Sequence, residues 1–235
     1  MLTSNWLALL ITFAVALAWL RINDFAAHRG WIGSRLSRKL IHIGTGPLFV
    51  LCWLLFTSAS ASRYLAALVP LLFTMQFALI GLGIVKDEAS VQAMSRTGDR
   101  QEILKGPVYY GLVFVVMTVL YWLESPIGMV ALMLMCGGDG LADITGRRFG
   151  KRKLPWNARK SWAGSLGMLV GGWILAFLIL WIFVNNGVFP GSIADYLPAL
   201  SVIALAGTIV ESLPLKDVDN ITVTISAVLL GHLFW

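Results

Sequence analysis

The chain alternates long apolar runs with short polar connections, and this pattern predicts helices that cross a membrane. A bilayer requires about 20 apolar residues per helix, and eight segments approach that length: 5–20, 40–57, 64–85, 107–123, 126–142, 163–184, 193–210 and 220–235. Because only three residues separate the fourth segment from the fifth, one kinked helix is the alternative there. We therefore expect an all-α, polytopic membrane protein of about eight transmembrane helices, with residues 1–235 as one transmembrane domain.

The composition agrees with a membrane protein and excludes two other classes. Apolar residues make up 58% of the chain and charged residues 13%, whereas an average soluble domain has about 45–50% and about 25%. These values exclude an ordinary soluble enzyme and a disordered chain. The net charge of +6 would suggest a nucleic-acid partner in a soluble protein. In a membrane protein basic residues mark the cytoplasmic connections instead, so we expect no nucleic-acid partner.

The basic residues are distributed unevenly between the connections. Seventeen of the 18 Lys and Arg residues lie in the connections 21–39, 86–106, 143–162 and 211–219, and Arg63 is the remaining one. These four connections share one side if the spans alternate. The positive-inside rule then places them in the cytoplasm and both termini outside. The first residues show neither an organelle transit pattern nor a secretory cleavage site, which favours a bacterial-type protein.

Two carboxylates lie where the fifth apolar segment meets its basic end. Asp139 and Asp143 are four residues apart, so on a helix they share one face. A carboxylate inside a membrane costs about 2.5–3.5 kcal/mol on insertion scales, and two neighbours repel each other unless a cation lies between them. Mg²⁺ fits such a pair, because it uses one or two carboxylates and leaves other positions for phosphate oxygens. The alternative is a pair of acids that are solvated or paired with arginines.

Small residues recur every four positions through the same stretch, at Gly138, Ala142, Gly146 and Gly150. Such a stripe is typical of close helix packing. Glycines near a helix end also allow phosphates to approach backbone N–H groups. The spacing of these glycines matches neither a P-loop nor a dinucleotide-binding fingerprint.

The residues before the sixth span predict an anion site. A helix N-terminus that carries Lys and hydroxyl groups attracts phosphates, and the residues concerned are Arg159, Lys160, Ser161, Gly164 and Ser165. Together with the acid pair, they would form a site for a nucleoside triphosphate. The run 151–153 is more typical of topology anchoring or of contact with anionic lipid, although Lys151 stays a candidate for nucleotide binding.

Polar residues also flank two other spans. Arg38 and Lys39 precede the second span and either bind phosphate or anchor the topology. His42 lies one turn inside that span, where an ionisable group is unusual; a structural, hydrogen-bonded histidine is the alternative. Lys105, near the start of the fourth span, either reaches a phosphate or directs its ammonium out to the interface.

With these residues in view, the sequence resembles the polyprenol kinase family. Five short motifs appear in the order that the family shows, at residues 38–42, 104–107, 136–143, 159–165 and 211–220. The resemblance implies phosphorylation of phytol or a related long-chain isoprenoid alcohol, with CTP as the expected donor, in a pathway that leads from phytol towards tocopherol. The partners implied are the lipid bilayer, the isoprenoid alcohol and the nucleoside triphosphate.

The resemblance also suggests a role for each candidate residue. Asp139 and Asp143 would bind Mg²⁺, with Glu211 or Asp219 completing the metal site, and Asp139 is the first candidate for the base. Lys160 would neutralise phosphate charge. The nucleotide-binding candidates are Arg38, Lys39, Lys105, Gly146, Gly150, Lys151, Arg159, Ser161, Gly164 and Ser165. Two further candidates without an assigned role are His42 and Asn220.

Two alternatives to a kinase remain at this point. A lipid-phosphate cytidylyltransferase of the CDP-diacylglycerol synthase type is disfavoured, because Ala163 stands where that family has Glu in a Lys-Thr-x-Glu-Gly pattern. A small transporter would show mid-membrane charges in both halves and an internal repeat, and neither is detected. The expected location is a bacterial or cyanobacterial plasma or thylakoid membrane.

Overall fold

The computed structural model describes residues 4–95, 97–215 and 218–235, with Ser34 described by its backbone alone. Ten α-helices, α1 to α10, follow one another in this part of the chain: Asn5–His28, Ser34–Cys52, Ser62–Leu82, Glu88–Met94, Gln101–Tyr121, Pro126–Met133, Gly140–Phe149, Trp162–Asn185, Ile193–Ser212 and Asp219–Phe234. A 3-10 turn, Trp53–Leu55, extends α2, and a π-helical segment, Leu134–Asp139, joins α6 to α7. Arg96 and Lys216, which the charge count includes, lie outside the described residues.

The prediction of an all-α, polytopic membrane protein is confirmed. Each of the eight apolar segments lies mostly within helix, and seven helical stretches of the described residues are long and apolar enough to cross a membrane. The eighth, α10, has 16 residues. The fourth and fifth segments are separate helices, because the chain takes a left-handed conformation at Trp122 before the hydroxyl of Ser125 caps α6.

The helices divide into two compact units, Met1–Val119 and Leu120–Trp235; the prediction of one domain stays a prediction. In the first unit α1 packs against α2 and α3. At one end of this unit the Arg38 guanidinium donates to the Ser95 carbonyl at 2.7 Å. Further along α2, the Tyr110 hydroxyl donates to the His42 carbonyl at 2.6 Å, and the two rings lie 4.4 Å apart.

In the second unit the stretch from α6 into the π-helical segment is the buried core. Every residue of α6 is buried, and α8 and α10 pack against it. A helix that is apolar all round is expected to occupy such a position. The end of this central stretch carries Asp139, so packing of the core also determines where that carboxylate lies.

The connection 143–162 contains regular secondary structure. Helix α7 continues to Phe149, and two short strands, β1 (Lys153–Leu154) and β2 (Asn157–Ser161), form an antiparallel hairpin. In its register Lys153 pairs with Ser161 and Leu154 with Asn157. The only local signal for this hairpin in the sequence is Pro155 between two polar stretches, because proline favours turns.

Candidate active site

Three carboxylates from distant parts of the second unit converge at one point. Asp139 ends the π-helical segment, Glu211 lies in the last turn of α9, and Asp219 begins α10. One carboxylate oxygen from each residue lies within 4.8 Å of the others. Glu211 is buried, with 3% of its surface exposed, and the other two are partly exposed. We refer to these three residues as the acid cluster.

Lys160 supplies the positive charge at the acid cluster. Its ammonium forms an ion pair with Glu211 and a second one with Asp219 at 3.1 Å. Burial has the largest single influence on the pKa of Lys160 and lowers it, because it favours the neutral amine. The charges of Glu211 and Asp219 and their hydrogen bonds together outweigh this effect. The pKa of Lys160 therefore lies above its ordinary value, and the side chain stays cationic at neutral pH.

The acid cluster has a net negative charge and carboxylate oxygens that could bind a cation. Three carboxylates and one ammonium leave a formal charge of −2. Oε1 of Glu211 accepts a hydrogen bond from the Lys160 ammonium. Oε2 is buried and accepts no hydrogen bond from any residue that the structure describes. An unsatisfied carboxylate oxygen in a protein interior is costly. Clustered carboxylate oxygens are also the donor set that Mg²⁺ prefers, so the cluster fits a divalent cation.

Close packing between helices places Asp139. A Cβ atom at Gly137 would lie 2.8 Å from the carbonyl oxygen of Gly171 in α8, and one at Gly138 would lie 2.5 Å from Sδ of Met168. Glycine is needed at position 137, because the backbone oxygen of Gly171 cannot move aside as the flexible end of Met168 can, and the small residues thus allow the π-helical segment to approach α8. The wider π turn changes the direction of the residues that follow it, and such turns occur frequently at functional sites.

Asp143 does not belong to the acid cluster. Its carboxylate accepts a hydrogen bond from Nε of Arg147 at 2.7 Å, in an i, i+4 ion pair on α7. The two aspartates predicted as one pair therefore differ in environment: Asp139 joins acids from α9 and α10, and Asp143 pairs with an arginine of its own helix. Spacing along one helix could not reveal this difference, because the partners of Asp139 come from residues 211 and 219.

The predicted nucleotide-binding glycines lie at a helix–helix contact. A Cβ atom at Gly146 would lie 3.4 Å from Cα of Gly164, and one at Gly150 would lie 2.5 Å from Oγ of Ser161. The Ser161 hydroxyl itself accepts from the Gly164 N–H at 3.2 Å and caps α8. In this structure these residues have packing and capping roles, and their contact with phosphates stays a prediction. Oγ of Ser165, in the first turn of α8, is buried and has no hydrogen-bond partner among the residues described.

The remaining predicted residues occupy several places. Lys151, just before β1, and Arg159, on β2, are exposed, and Asn220 lies in the first turn of α10. Four candidates belong to the first unit: Arg38, Lys39, His42 and Lys105. Lys105 is exposed there, and Lys39 and His42 are partly exposed. Nucleotide binding stays a prediction for Lys151, Arg159, Arg38, Lys39 and Lys105, and no role is assigned to His42 or Asn220.

Sequence reasoning missed two residues that hold the hairpin in place. The side-chain amide of Asn157 donates to the carbonyl oxygens of Ser212 and Leu213 at 3.1 and 3.2 Å. The Trp156 indole N–H donates to the Ser212 hydroxyl at 3.2 Å. These contacts attach the hairpin to the end of α9, next to Glu211. No local pattern in the sequence indicates them, since about 55 residues separate the partners.

The chain is similar to plant enzymes over nearly its whole length. A probable chloroplastic phytol kinase of Zea mays is 41% identical over 224 residues, which are 94% of this chain and 74% of that protein. The chloroplastic phytol kinase 1 of Arabidopsis thaliana is 41% identical, over 87% of this chain and 68% of that protein. The chloroplastic farnesol kinase of Arabidopsis thaliana is 41% identical, over 96% and 74%. No family model matches the chain, and no solved structure matches it.

These relatives correct one prediction. A bacterial or cyanobacterial plasma or thylakoid membrane was expected from the first residues of the chain, and that expectation is wrong, because the relatives are chloroplastic plant proteins. The relatives extend beyond the region they share with this chain, so the residues at which this sequence begins carry no information about location.

Proposed function

The chain belongs to the family of phytol and farnesol kinases, and we propose that it transfers the terminal phosphoryl group of CTP to phytol or a closely related isoprenoid alcohol. The reaction takes place at the membrane face that carries the acid cluster. The observation that carries the proposal is the convergence of Asp139, Glu211 and Asp219 around Lys160, because phosphoryl transfer depends on positioning and charge neutralisation.

The acid cluster is the proposed site of Mg²⁺. Asp139, Glu211 and Asp219 would hold the ion, since they offer three carboxylate oxygens within 4.8 Å of one another. The buried Oε2 of Glu211 and the formal charge of −2 both fit a divalent cation. Mg²⁺ held by these three carboxylates would supply positive charge against the negative charge that develops on the phosphate groups.

Lys160 and Asp139 are assigned the two chemical roles. The Lys160 ammonium, cationic at neutral pH, stabilises the negative charge on the triphosphate as the bond to the terminal phosphorus breaks. The oxygen of the alcohol forms the new bond to that phosphorus, and CDP leaves. The hydroxyl proton passes to the carboxylate of Asp139, so that an alkyl phosphate, CDP and a proton result.

The apolar helices account for the preference for a lipid alcohol. At about 0.8 kcal/mol per buried CH₂ group, a phytyl chain remains in the bilayer and presents its hydroxyl at the interface. The acid cluster lies where α9 ends and α10 begins, which are positions that an interfacial hydroxyl reaches. The alcohol therefore approaches the cluster from the membrane, and the nucleotide approaches it from the aqueous side.

Exposed basic residues are proposed as contacts for the nucleotide. Arg159 is adjacent to Lys160 on β2, and Lys151 lies just before β1; both are exposed. An exposed cation contributes little to a permanent ion pair, but it is free to associate with an arriving triphosphate.

The products decide whether the proposal is correct. Purified protein in lipid nanodiscs would be incubated with phytol, Mg²⁺ and either CTP or ATP, and the products would be identified by mass spectrometry. We expect phytyl phosphate and CDP, with less product from ATP, and at least about a hundredfold less product from the Asp139→Asn variant. Release of pyrophosphate with a lipid phosphate as acceptor would instead identify a cytidylyltransferase, and product from ATP alone would contradict the assignment of CTP.

A further inference from the structure

The hairpin is attached to the rest of the second unit at its turn, through Asn157. Both carbonyl oxygens that its amide reaches, those of Ser212 and Leu213, belong to the end of α9. The last carbonyls of a helix have no partner within the helix, so Asn157 supplies the hydrogen bonds that α9 lacks. Asn157 is buried, with 8% of its surface exposed, which shields these hydrogen bonds from water.

The oxygen atom of the Asn157 side-chain amide also takes part in a hydrogen bond. Oδ1 of Asn157 accepts a hydrogen bond from the backbone N–H of Arg159 at 3.2 Å. The side chain thus connects the backbone of β2 to the backbone of α9. Lys160 follows Arg159 in β2, and Glu211 precedes Ser212 in α9. The residues that Asn157 connects are therefore direct chain neighbours of the two residues that form the central ion pair.

We propose that Asn157 is a positioning residue for the reaction: it fixes the register of β2 against the end of α9, so that Lys160 meets Glu211. The proposal rests on the proposed function only in assigning the Lys160–Glu211 pair to the active site. Trp156 assists, because its indole N–H donates to the Ser212 hydroxyl. Neither Asn157 nor Trp156 touches a reacting atom in this assignment.

Asparagine is required because its amide both donates and accepts. Aspartate has the same shape, but it cannot donate to the two carbonyl oxygens and would place a negative charge beside them. Buried acceptors that face one another without a donor repel and lose their hydrogen bonds. Asn157→Asp is therefore expected to detach the turn from α9 and to leave the hairpin backbone itself intact.

Acetylation of Lys160 measures the position of this side chain without depending on catalysis. The Lys160 side chain is 21% exposed and lies against two carboxylates, which shield it from an acetylating reagent. Lys153, which is exposed on β1 of the same hairpin, serves as the internal reference. The ratio of the two acetylation rates would be measured by peptide mass spectrometry on the full chain in nanodiscs.

The matched control is Asn186→Asp. Asn186 also donates its side-chain amide to a helix carbonyl, that of Ile182 at 2.8 Å, but it lies at the other end of α8 and is exposed. We expect Asn157→Asp to raise the Lys160 to Lys153 ratio at least about fivefold, the population shift that follows the loss of one buried hydrogen bond. We expect Asn186→Asp to leave the ratio unchanged.

Kinetics provide a second readout. With the hairpin detached, kcat should fall and the KM for the alcohol should stay the same, because Lys160 is assigned to the nucleotide and not to the apolar chain.

The acetylation ratio decides the inference. A Lys160 to Lys153 ratio equal to that of the wild type in folded Asn157→Asp protein would overturn it. If that variant does not fold, Trp156→Phe takes its place: a rise of about twofold, as expected for a weaker and more exposed hydrogen bond, supports the inference, and no rise overturns it. A raised ratio in a protein that has no kinase activity would refute the proposed function and leave the inference intact.

Discussion

Lys160 and Glu211 form an ion pair although 51 residues separate them in the chain. Lys160 lies in strand β2 of the hairpin. Glu211 lies in the last turn of α9 and is buried. A buried carboxylate is stable only if it is paired or binds a cation. The pair therefore links the folding of the hairpin to the charge of the acid cluster.

Replacing Asp139 by Asn should abolish most of the activity. The substitution keeps the volume of the side chain but removes a charge and a proposed metal ligand. The loss of a ligand costs several kcal/mol of transition-state stabilisation, so we expect kcat/KM to fall at least about a hundredfold, or about 2.7 kcal/mol. Phytol phosphorylation and thermal stability would be measured on the same preparation. A folded variant with more than about a tenth of wild-type activity would exclude Asp139 from the metal site.

The companion substitution Asp143→Asn serves as the comparison. Asp143 pairs with Arg147, so its loss should cost less activity than the loss of Asp139. The side chains of this pair are 23% and 50% exposed, and exposed pairs contribute little to stability. Equal losses in both variants would show that Asp143 leaves Arg147 and joins the acid cluster when substrates bind.

Replacing Lys160 by Met should affect the nucleotide more than the alcohol. Met retains an unbranched apolar side chain and removes the ammonium. Because charge on the triphosphate grows during transfer, we expect a higher KM for CTP together with a lower kcat. Lys153→Met, on the exposed side of the hairpin, is the control and should behave like the wild type. An unchanged kcat/KM for CTP in the Lys160 variant would remove Lys160 from the site.

The stability that Lys160 contributes should persist to alkaline pH. Its pKa in the folded protein lies above the ordinary value, which is about 10.4 for lysine. A raised pKa means that the charged form favours the folded state. The contribution is complete below the ordinary pKa and is lost as the pH rises through the folded-state pKa. Thermal melts from pH 7 to 11 should show a constant gap between wild type and Lys160→Met up to about pH 10, and a smaller gap above it. A gap that closes between pH 7 and 9 would contradict the assignment.

Gly137→Ala should destabilise the second unit. The new methyl group would lie 2.8 Å from the backbone oxygen of Gly171, so the π-helical segment and α8 would have to separate. Overpacking of this kind costs about 1–3 kcal/mol and would also displace Asp139. The control is Gly207→Ala in α9, where the added methyl group meets Val223 at an ordinary 3.6 Å and alanine favours the helix. Thermal melts should separate the two variants; equal stability would contradict the close packing.

The two ends of α8 should be labelled from opposite sides of the membrane. Ala158→Cys precedes this helix and Asn185→Cys ends it, and both positions are exposed. The native cysteines Cys52 and Cys136 are buried, so they provide little background. In sealed vesicles a charged maleimide should modify only one of the two variants, and position 158 should share its side with the other basic connections. Modification of both variants from one side would mean that α8 does not cross.

Much of the fold follows from local features of the sequence. Apolar runs of bilayer length predict helices because backbone groups inside a membrane must be paired within the segment, and the eight runs are helical. Asp139, Glu211 and Asp219 were also candidates from the sequence: Asp139 from its position at the end of an apolar span, where a carboxylate is costly, and the other two from the family resemblance. The family resemblance, based on the order of five motifs, agrees with the relatives found.

The assembly of the candidate site depended on tertiary structure. The spacing of Asp139 and Asp143 predicted one pair, but the structure unites Asp139 with residues 211 and 219 and leaves Asp143 with Arg147. The hairpin that carries Lys160, and its attachment through Asn157, were not predicted. Periodicity reports which face of its own helix a side chain occupies. It does not report which other helix end lies opposite that face, because packing between elements that are distant in the chain decides this. Here glycines allow the π-helical segment to lie against α8.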